Sequence, residues 1–366
     1  MCITIKNTLR GVEIFIPKTE KEKIAFQKVD FLRKKYLSVK LGSRVNGSWD
    51  YLTLKNKDSN LLKPYKDGEF FYNNLEYKKS YWKVFFRNFY LLFPGTFKKG
   101  SKVDLNKFIK KDEPKLISDN FKIQWIGHSS FFVQVNGQNI LIDPVFSDFV
   151  SPCFKRYTKP GINLKDLPKI DTILISHNHV DHLDENTLKH FVKYQPTILV
   201  PLGLKKIIEN LGFKNVIELN WFDEVFSKKD EKQINFTSTP AFHWSQPIFK
   251  SNKKVLKGNE TLWCGWVIKA NNKTLYHSGD TAKSNEVFQS INKKFNTLNY
   301  ALLPIAPEDE EDMHMGIDSF FEATKVLKAK TVIPMHYLAF RMGAERVEDP
   351  YFAMLKKLKY QYIKNR

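Results

Sequence analysis

Beyond Phe121 the chain consists of short apolar runs, each about four to eight residues long, with turn signals between them. This pattern restricts the chain to a fold rich in β-strands. Asn136 and Gly137 separate two of the runs and indicate a tight β-hairpin. The runs that we predict to be strands are FKIQWIG, SSFFVQV, NILIDPV, DTILIS, TILVP, VIEL, INFTSTP, LWCGWVIK, KTLYHSG, YALLPIA and TVIPMH.

Helical spacing of apolar residues appears between the later runs. The predicted helices span Glu185 to Tyr194, Leu204 to Leu211, Asn285 to Phe295, and Ile317 to Lys328. Hairpins early in this region, followed by helices between strands, predict two β-sheets covered by outer helices.

In residues 1–120 the pattern of apolar residues is irregular, and basic and aromatic residues are frequent. We expect short helices there rather than strands. The stretch YWKVFFRNFYLLF places Trp82, Phe85 and Phe89 at helical spacing. Such a helix either lies on a membrane surface or packs as a lid against the main fold, and aromatic stripes of this kind are more often core. We therefore divide the chain into an N-terminal extension, residues 1–120, and a main domain, residues 121–366.

Composition limits the class of protein. A chain that is 42% hydrophobic and 14% aromatic is a folded globular protein. Three cysteines are too few for a disulfide framework or a cysteine-rich zinc site, which fits a reducing compartment. We find neither a secretory signal nor an apolar run that could cross a membrane, and expect a cytoplasmic protein. The net charge of +20 attracts nucleic acid or anionic membranes, although a lysine-rich composition that keeps the chain soluble explains it equally well.

The densest group of metal-binding side chains follows the run DTILIS, where His177, His179, Asp181 and His182 stand together. Side chains two apart on an extended segment share a face, so His177 and His179 can reach one point. The turn at Asp181 and His182 can then address a second point. Zinc binds imidazole nitrogen and carboxylate oxygen, and a catalytic zinc keeps a position for water. One loop therefore predicts ligands for two metal positions.

Three later strand ends offer the remaining ligands. His243 ends INFTSTPAFH, Asp280 ends KTLYHSGD, and His336 ends TVIPMH. A single strand-end histidine is more often a packed core residue, but the ordered set favours a metal centre. If these strand ends meet on one rim, they complete two sites, with the Asp280 carboxylate as the natural bridge.

These residues also carry a family resemblance. HNHVDH has the His-x-His-x-Asp-His signature of the metallo-β-lactamase superfamily, and SGDT fits the same pattern. More narrowly, the segments WIGHSSFFVQVNGQNILIDPVFSD, SPCFKR, LPKIDTILISHNHVDHLD, VPLGL, NVIELNWF, TPAFHW and HSGDT resemble N-acyl phosphatidylethanolamine phospholipase D and its bacterial relatives. The likeness covers Phe121 to Tyr337, whereas the extension matches only through GEFFYNN, Gly68 to Asn74.

The resemblance implies an α+β fold, a four-layer αβ/βα sandwich with a dinuclear zinc site on its rim, preceded here by the basic, aromatic and mainly helical extension. Mn²⁺ or Fe²⁺ could occupy the same ligands. The resemblance also assigns the ligands: the first zinc to His177, His179 and His243, the second to Asp181, His182 and His336, and the bridge to Asp280.

The activity implied by this family is a zinc-dependent phosphodiesterase that splits an N-acyl phosphatidylethanolamine into phosphatidic acid and an N-acylethanolamine. The nucleophile would be hydroxide between the two ions, since coordination lowers the pKa of water to roughly 7. Asp181 would orient this hydroxide, and Asp280 would bridge the two ions. His314 occupies a position at which the family has a histidine lining the substrate site, and either His314 or a metal-bound water would protonate the leaving oxygen. The segment APEDEEDM before His314 is more acidic than the family pattern.

The other histidines and one further aspartate receive lesser roles. His128 and Asp143 stand at strand ends that face the same rim, and we expect them to support ligands or fix loops. His277 is expected to pack within its strand, and His190 to lie on the surface of a helix.

The sequence leaves other functions open. A lactonase or another hydrolase of small acidic metabolites suits the same fold, although the apolar N-terminal segment favours a lipid. A nucleic-acid-binding protein or nuclease would explain the charge, but no recognised motif supports it. A scaffold with a vestigial site is disfavoured because every expected ligand is present. The expected partners are a phospholipid and the cytoplasmic face of a membrane, with a homodimer left open and nucleic acid not expected.

Overall fold

Two β-sheets with helices on their outer sides form the computed structural model of this chain. The structure describes residues 5–8, 11–13, 104–109, 118–151, 154–229, 231–246, 248–250, 253–256 and 259–364. None of the helices in these ranges has the length and apolarity needed to span a bilayer.

The strands are short, as the spacing of turn signals in the sequence predicts. Their bounds are β1 (Ile5–Thr8), β2 (Gly11–Glu13), β3 (Lys122–Gly127), β4 (Ser130–Val135), β5 (Gln138–Ile142), β6 (Phe149–Ser151), β7 (Phe154–Lys155), β8 (Thr172–Leu174), β9 (Thr197–Pro201), β10 (Val216–Leu219), β11 (Glu224–Lys229), β12 (Lys232–Thr239), β13 (Ile248–Lys250), β14 (Lys253–Leu256), β15 (Gly265–Ala270), β16 (Lys273–His277), β17 (Tyr300–Pro304) and β18 (Thr331–Met335).

The helices follow the strands of the later chain. Their bounds are α1 (Glu185–Phe191), α2 (Lys205–Glu209), α3 (Asn285–Phe295), α4 (Ile317–Leu327) and α5 (Asp349–Lys364). Single 3-10 turns occupy Leu105–Phe108, Leu164–Asp166, Val192–Tyr194 and Glu308–Glu310.

One sheet has the order β10-β9-β8-β5-β4-β3 and the other the order β11-β12-β15-β16-β17-β18-β1-β2. In the first sheet β3, β4 and β5 form an antiparallel meander, whereas β5, β8, β9 and β10 are parallel. Asn136 and Gly137, with φ of 50° and 69°, form the turn between β4 and β5, so the predicted hairpin is confirmed. Two further pairs, β6 with β7 and β13 with β14, form separate ribbons.

Side chains of the six-stranded sheet alternate between two cores, as the two-residue period of a strand requires. Phe131 and Leu174 belong to the core shared with the eight-stranded sheet, whereas their neighbours Phe132 and Ile173 belong to an outer core. The outer core also contains apolar side chains of α1 and α2. Both faces of this sheet are therefore covered, which explains why its strands are apolar almost throughout.

The two sheets face each other across the inner core. The indole Nε1 of Trp266 in β15 donates to the carbonyl oxygen of Ile175 at 3.2 Å, and the Phe131 ring meets His277 edge-on. Phe288 of α3 and Phe320 of α4 are fully buried against the eight-stranded sheet. The layers thus run helix, sheet, sheet, helix, and the predicted αβ/βα sandwich is confirmed.

Strand direction brings the predicted ligands to one rim. β16, β17 and β18 are parallel, and β12 runs the same way because two antiparallel steps, through β15, separate it from β16. The carboxyl ends of β12, β16 and β18 therefore share an edge of the eight-stranded sheet. The loop after β8 reaches this edge from the six-stranded sheet. The backbone N–H of Cys264 donates to the carbonyl oxygen of Ser176 in that loop at 2.9 Å.

Some elements differ from the sequence expectation. β1 and β2 are strands where we expected short helices; β1 pairs with β18 on one side and with β2, the edge strand, on the other. Alternation of apolar and polar residues in ITIKNT suits a strand such as β1. Most of the extension, including the aromatic stretch at residues 81–93, lies outside the described residues. Neither β11 nor α5 was predicted.

Candidate metal centre

Three imidazoles form the first group of the site. Nε2 of His177 lies 2.8 Å from Nδ1 of His179, and Nε2 of His243 lies 3.1 Å from that same Nδ1. All three side chains are buried. The loop after β8 therefore supplies two nitrogens, and the segment after β12 supplies the third. We call these three histidines the first cage.

The second cage combines Asp181, His182 and His336. The Oδ2 atom of Asp181 lies 3.6 Å from Nε2 of His182 and 3.4 Å from Nε2 of His336. These three groups are also buried, and they come from the loop after β8 and the end of β18.

The carboxylate of Asp280 stands between the two cages. Its Oδ2 atom lies 3.0 Å from Nε2 of His182 and 3.1 Å from Nε2 of His336 on one side. On the other side it lies 3.9 Å from Nε2 of both His177 and His243. Its Oδ1 atom is buried and makes no hydrogen bond with any described group. Asp280 is thus shared by both cages.

The donor set fits metal ions. Ligand atoms around a tetrahedral zinc are about 3.3 Å apart, because Zn–N bonds are about 2.0 to 2.1 Å long. The nitrogen separations in the first cage are close to this value. A proton can satisfy one N···N pair, but only a cation can accept lone pairs from all three nitrogens. The buried, unsatisfied Oδ1 of Asp280 also calls for a positive partner. Nitrogen and carboxylate donors of this kind suit zinc, iron and manganese alike.

Neighbouring groups fix which ring nitrogen faces each cage. Asp143 accepts a hydrogen bond from Nδ1 of His182 at 2.7 Å, which leaves Nε2 for the second cage. The carbonyl oxygen of Met313 accepts from Nδ1 of His243 at 2.9 Å, which leaves its Nε2 for the first. Ser176 Oγ lies 2.9 Å from Nδ1 of His177. Such contacts orient imidazoles and raise their strength as ligands.

The backbone of the rim is strained at three of these residues. His128, Asp143 and His336 have φ values of 54°, 43° and 64°, in the left-handed region that side-chain-bearing residues rarely adopt. Strain of this kind is common at functional sites, where surrounding structure maintains it. Gly279, with φ of 60°, brings Asp280 to the site, and a Cβ atom there would lie 2.4 Å from the carbonyl oxygen of Cys264.

Electrostatics differ between the two cages, because the Asp280 carboxylate overrides burial and raises the pKa of His182 and His336 in the second cage. Burial alone would raise the pKa of Asp280, but the positive field of His182 and His336 holds that pKa well below its usual range. Burial lowers the pKa of His177 and of His243 well below the ordinary value, and neighbouring imidazoles lower each further. Neutral imidazoles and ionised carboxylates are the forms that bind metals.

The other predicted residues have distinct places. Nε2 of His314 lies 3.2 Å from Oδ2 of Asp280, and its Nδ1 lies 3.6 Å from Oε2 of Glu310. The sequence did not single out Glu310, which is hidden within an acidic run. Nε2 of His277 donates to the carbonyl oxygen of Ser129 within the fold, and His190 is half-buried on α1. His128 lies beside Asp181, and Asp143 beside His182.

A small, open cavity adjoins the second cage at His336. Phe340 and Met342 are among its lining residues, as are Arg341, Arg346 and Glu345. Apolar and charged residues thus line the cavity next to the predicted metal ligands.

A four-layer αβ/βα sandwich with this His and Asp set on its rim defines the metallo-β-lactamase superfamily. The family described as beta-lactamase superfamily domain matches residues 138–337, more than half of the chain, and the chain belongs to this family.

Two relatives are similar over the same part of the chain. The N-acyl-phosphatidylethanolamine-hydrolyzing phospholipase D, mitochondrial, of Saccharomyces cerevisiae is 34% identical over 62% of this chain and 49% of its own length. The N-acyl-phosphatidylethanolamine-hydrolyzing phospholipase D 1 of Caenorhabditis elegans is 32% identical over 60% of this chain and 64% of its own. The alignments thus span about half to two thirds of these relatives.

A solved structure shares the fold. A chain from Veillonella parvula, described as a possible metal-dependent hydrolase, aligns with a TM-score of 0.51 at 17% identity. The alignment covers 67% of this chain and 95% of that one. At this identity the comparison concerns the fold alone.

Proposed function

We propose that this chain is a metal-dependent hydrolase that cleaves a phosphodiester bond in a phospholipid of the N-acyl phosphatidylethanolamine type, with zinc in both metal positions. The observation that carries the proposal is the Asp280 carboxylate, whose Oδ2 is near imidazole nitrogens of both cages. The substrate class is supported by the activity named for the yeast and nematode relatives.

The proposed roles follow from the two cages. His177, His179 and His243 would hold one ion, and Asp280 would bind both ions. The second ion would be held by Asp181, His182 and His336. Two such ions supply a water of lowered pKa and neutralise charge on both the entering and the leaving oxygen of a phosphodiester.

His314 is the residue we assign to the leaving oxygen. Its Nε2 lies 3.2 Å from Oδ2 of Asp280, so a phosphodiester held by the metal ions that Asp280 would bind is within reach. Burial lowers the pKa of His314, and the Glu310 carboxylate, 3.6 Å from Nδ1, would favour positive charge on the ring while a proton moves at Nε2. The oxygen that leaves with this proton is that of the N-acylethanolamine, and phosphatidic acid remains.

The surroundings of the site support an amphipathic substrate. Phe340 and Arg341 both line the cavity beside His336, and residues of these two types suit an acyl chain and a phosphate. We further propose that the enzyme contacts the cytoplasmic face of a membrane peripherally, which the net charge of +20 supports.

Metal analysis combined with a substrate panel tests this function. The purified chain is assayed for zinc, and for turnover of N-acyl phosphatidylethanolamine in vesicles, of lactones and of single-stranded RNA. We expect about two zinc equivalents and turnover of the phospholipid alone. Asp280→Asn should abolish turnover, whereas Asp318→Asn on the exposed face of α4 should not. Cleavage of a lactone or RNA with no cleavage of the phospholipid would refute the proposed substrate.

A further inference from the structure

We propose that His128 is a positioning residue of the metal centre, which acts by holding Asp181 in the orientation that the second cage requires. His128 lies in the turn between β3 and β4, far in sequence from the HNHVDH segment. The inference concerns metal binding, and it stands whether or not the substrate proposed above is correct.

The contact between His128 and Asp181 is short and buried. Nε2 of His128 lies 2.7 Å from Oδ2 of Asp181, and the exposed fractions of the two side chains are 0% and 3%. The same oxygen lies 3.4 Å from His336 and 3.6 Å from His182. A nitrogen and a carboxylate oxygen 2.7 Å apart are joined by a hydrogen bond. Nε2 of His128 is the donor, and the bond is charge-assisted because the acceptor is a carboxylate.

The His128 ring is itself fixed by its surroundings. Its backbone is held at φ of 54°, and its carbonyl oxygen accepts hydrogen bonds from the Trp125 indole at 2.7 Å and the His336 N–H at 3.1 Å. The Phe340 ring meets the imidazole edge-on, with 5.4 Å between centroids, and the Arg156 guanidinium lies 4.6 Å over that Phe340 ring. A ring fixed in this way can set the orientation of a carboxylate.

The geometry favours action through Asp181 over direct metal binding. Because Nε2 of His128 donates its proton to Asp181, it cannot also present a lone pair to a cation. A hydrogen bond to a metal-binding carboxylate limits its rotation, and loss of such a bond typically lowers metal affinity about 10- to 100-fold.

The effect should be confined to one metal position. Asp181 belongs to the second cage, and the hydrogen bond of the His128 ring is made to that residue. The first cage, formed by His177, His179 and His243, has its own supporting groups at Ser176 and at the carbonyl oxygen of Met313. Loss of the His128 side chain should therefore weaken one equivalent of metal and spare the other.

Titration of the full metal-free chain with Zn²⁺ against a chromophoric chelator tests this. For His128→Ala we expect one of the two zinc equivalents to lose about 10- to 100-fold in affinity, with the other unchanged. His128→Gln should recover much of the loss, because its amide can donate to Asp181. His190→Gln, which alters a half-buried histidine on α1, should bind as the wild type does.

Three results would overturn the inference. If both zinc equivalents bind to His128→Ala with wild-type affinity, a positioning role is excluded. If both equivalents lose affinity equally and the melting temperature falls, His128 is a structural residue. A His128→Gln variant no better than His128→Ala would exclude the hydrogen bond as the cause. A wild-type chain that binds no zinc would refute the metal centre itself, whereas zinc binding without phospholipid turnover would refute only the proposed substrate.

Discussion

Oδ2 of Asp143 lies 2.7 Å from Nδ1 of His182, in a pair with no measurable exposure to solvent. The same aspartate accepts hydrogen bonds from the backbone N–H and the hydroxyl of Ser176, at 2.7 and 2.6 Å. Asp143 at the end of β5 therefore fixes both the β8 loop and the imidazole nitrogen that points at the second cage.

Replacement of Asp143 by Asn should weaken metal binding. The amide has one acceptor oxygen and cannot accept all three of these hydrogen bonds, so His182 loses its fixed orientation, and we expect zinc affinity to fall about 10- to 100-fold. Equilibrium dialysis with metal analysis measures this. Asp171→Asn at the far end of β8 is the matched control, and unchanged zinc affinity in Asp143→Asn would contradict the assigned role.

His314→Gln should separate catalysis from metal binding. If His314 protonates the leaving oxygen, its loss should lower kcat about 10²- to 10⁴-fold while zinc content stays at the wild-type level. Turnover and zinc content are measured on the same preparation of His314→Gln and compared with those of the wild type. His314 also forms a possible ligand group with Asp280 and His336. A loss of zinc in His314→Gln would therefore identify His314 as a metal ligand instead.

Gly279→Ala should damage both the fold and the metal centre. An added Cβ would lie 2.4 Å from the carbonyl oxygen of Cys264 at a φ of 60°, so the loop must move and Asp280 moves with it. We expect a lower melting temperature and the loss of bound zinc. Gly137→Ala, at a φ of 69° in the β4–β5 hairpin, should lower stability by about 1 kcal/mol and keep its zinc. Full zinc content in Gly279→Ala would contradict this account of the loop.

Removal of metal should lower thermal stability. Ligands that bind only the folded chain stabilise it, by about 2.7 kcal/mol at a free concentration 100 times Kd. We expect a chelator to lower the melting temperature and zinc to restore it. In Asp280→Asn, where both cages lose their shared carboxylate, zinc should restore much less. Equal melting temperatures with and without zinc in the wild type would argue against binding at this rim.

Apolar runs with turn signals constrain strands strongly and predicted two sheets covered by helices, and the family resemblance implied the four-layer sandwich. The sequence prediction failed at β11, whose sequence EVFSKK is largely polar because β11 is an edge strand paired only with β12. It also missed α5, which lies beyond the last predicted strand. Pairing with β12 defines β11, which a local pattern does not carry, whereas Tyr351, Leu355 and Leu358 of α5 do stand at helical spacing and that helix was simply missed.

The same distinction applies to the site. The residue types and spacing of HNHVDH indicated which side chains would gather, and the structure brings all of the predicted ligands together. The sequence could not indicate that His179 presents Nδ1 while His177 presents Nε2. Nor could it assign His128 to Asp181, because that contact depends on how the β3–β4 turn packs against the β8 loop.

All the predicted ligands stand at or just beyond strand ends, on a framework held by two sheets. The cavity wall beside them comes instead from segments such as residues 340–347, which connect one element to the next. Evolution can lengthen or replace such connections without disturbing the ligands. Chains that keep the same ligand set can therefore diverge in the molecules they accept, and those connections are where the specificity of this chain is to be sought.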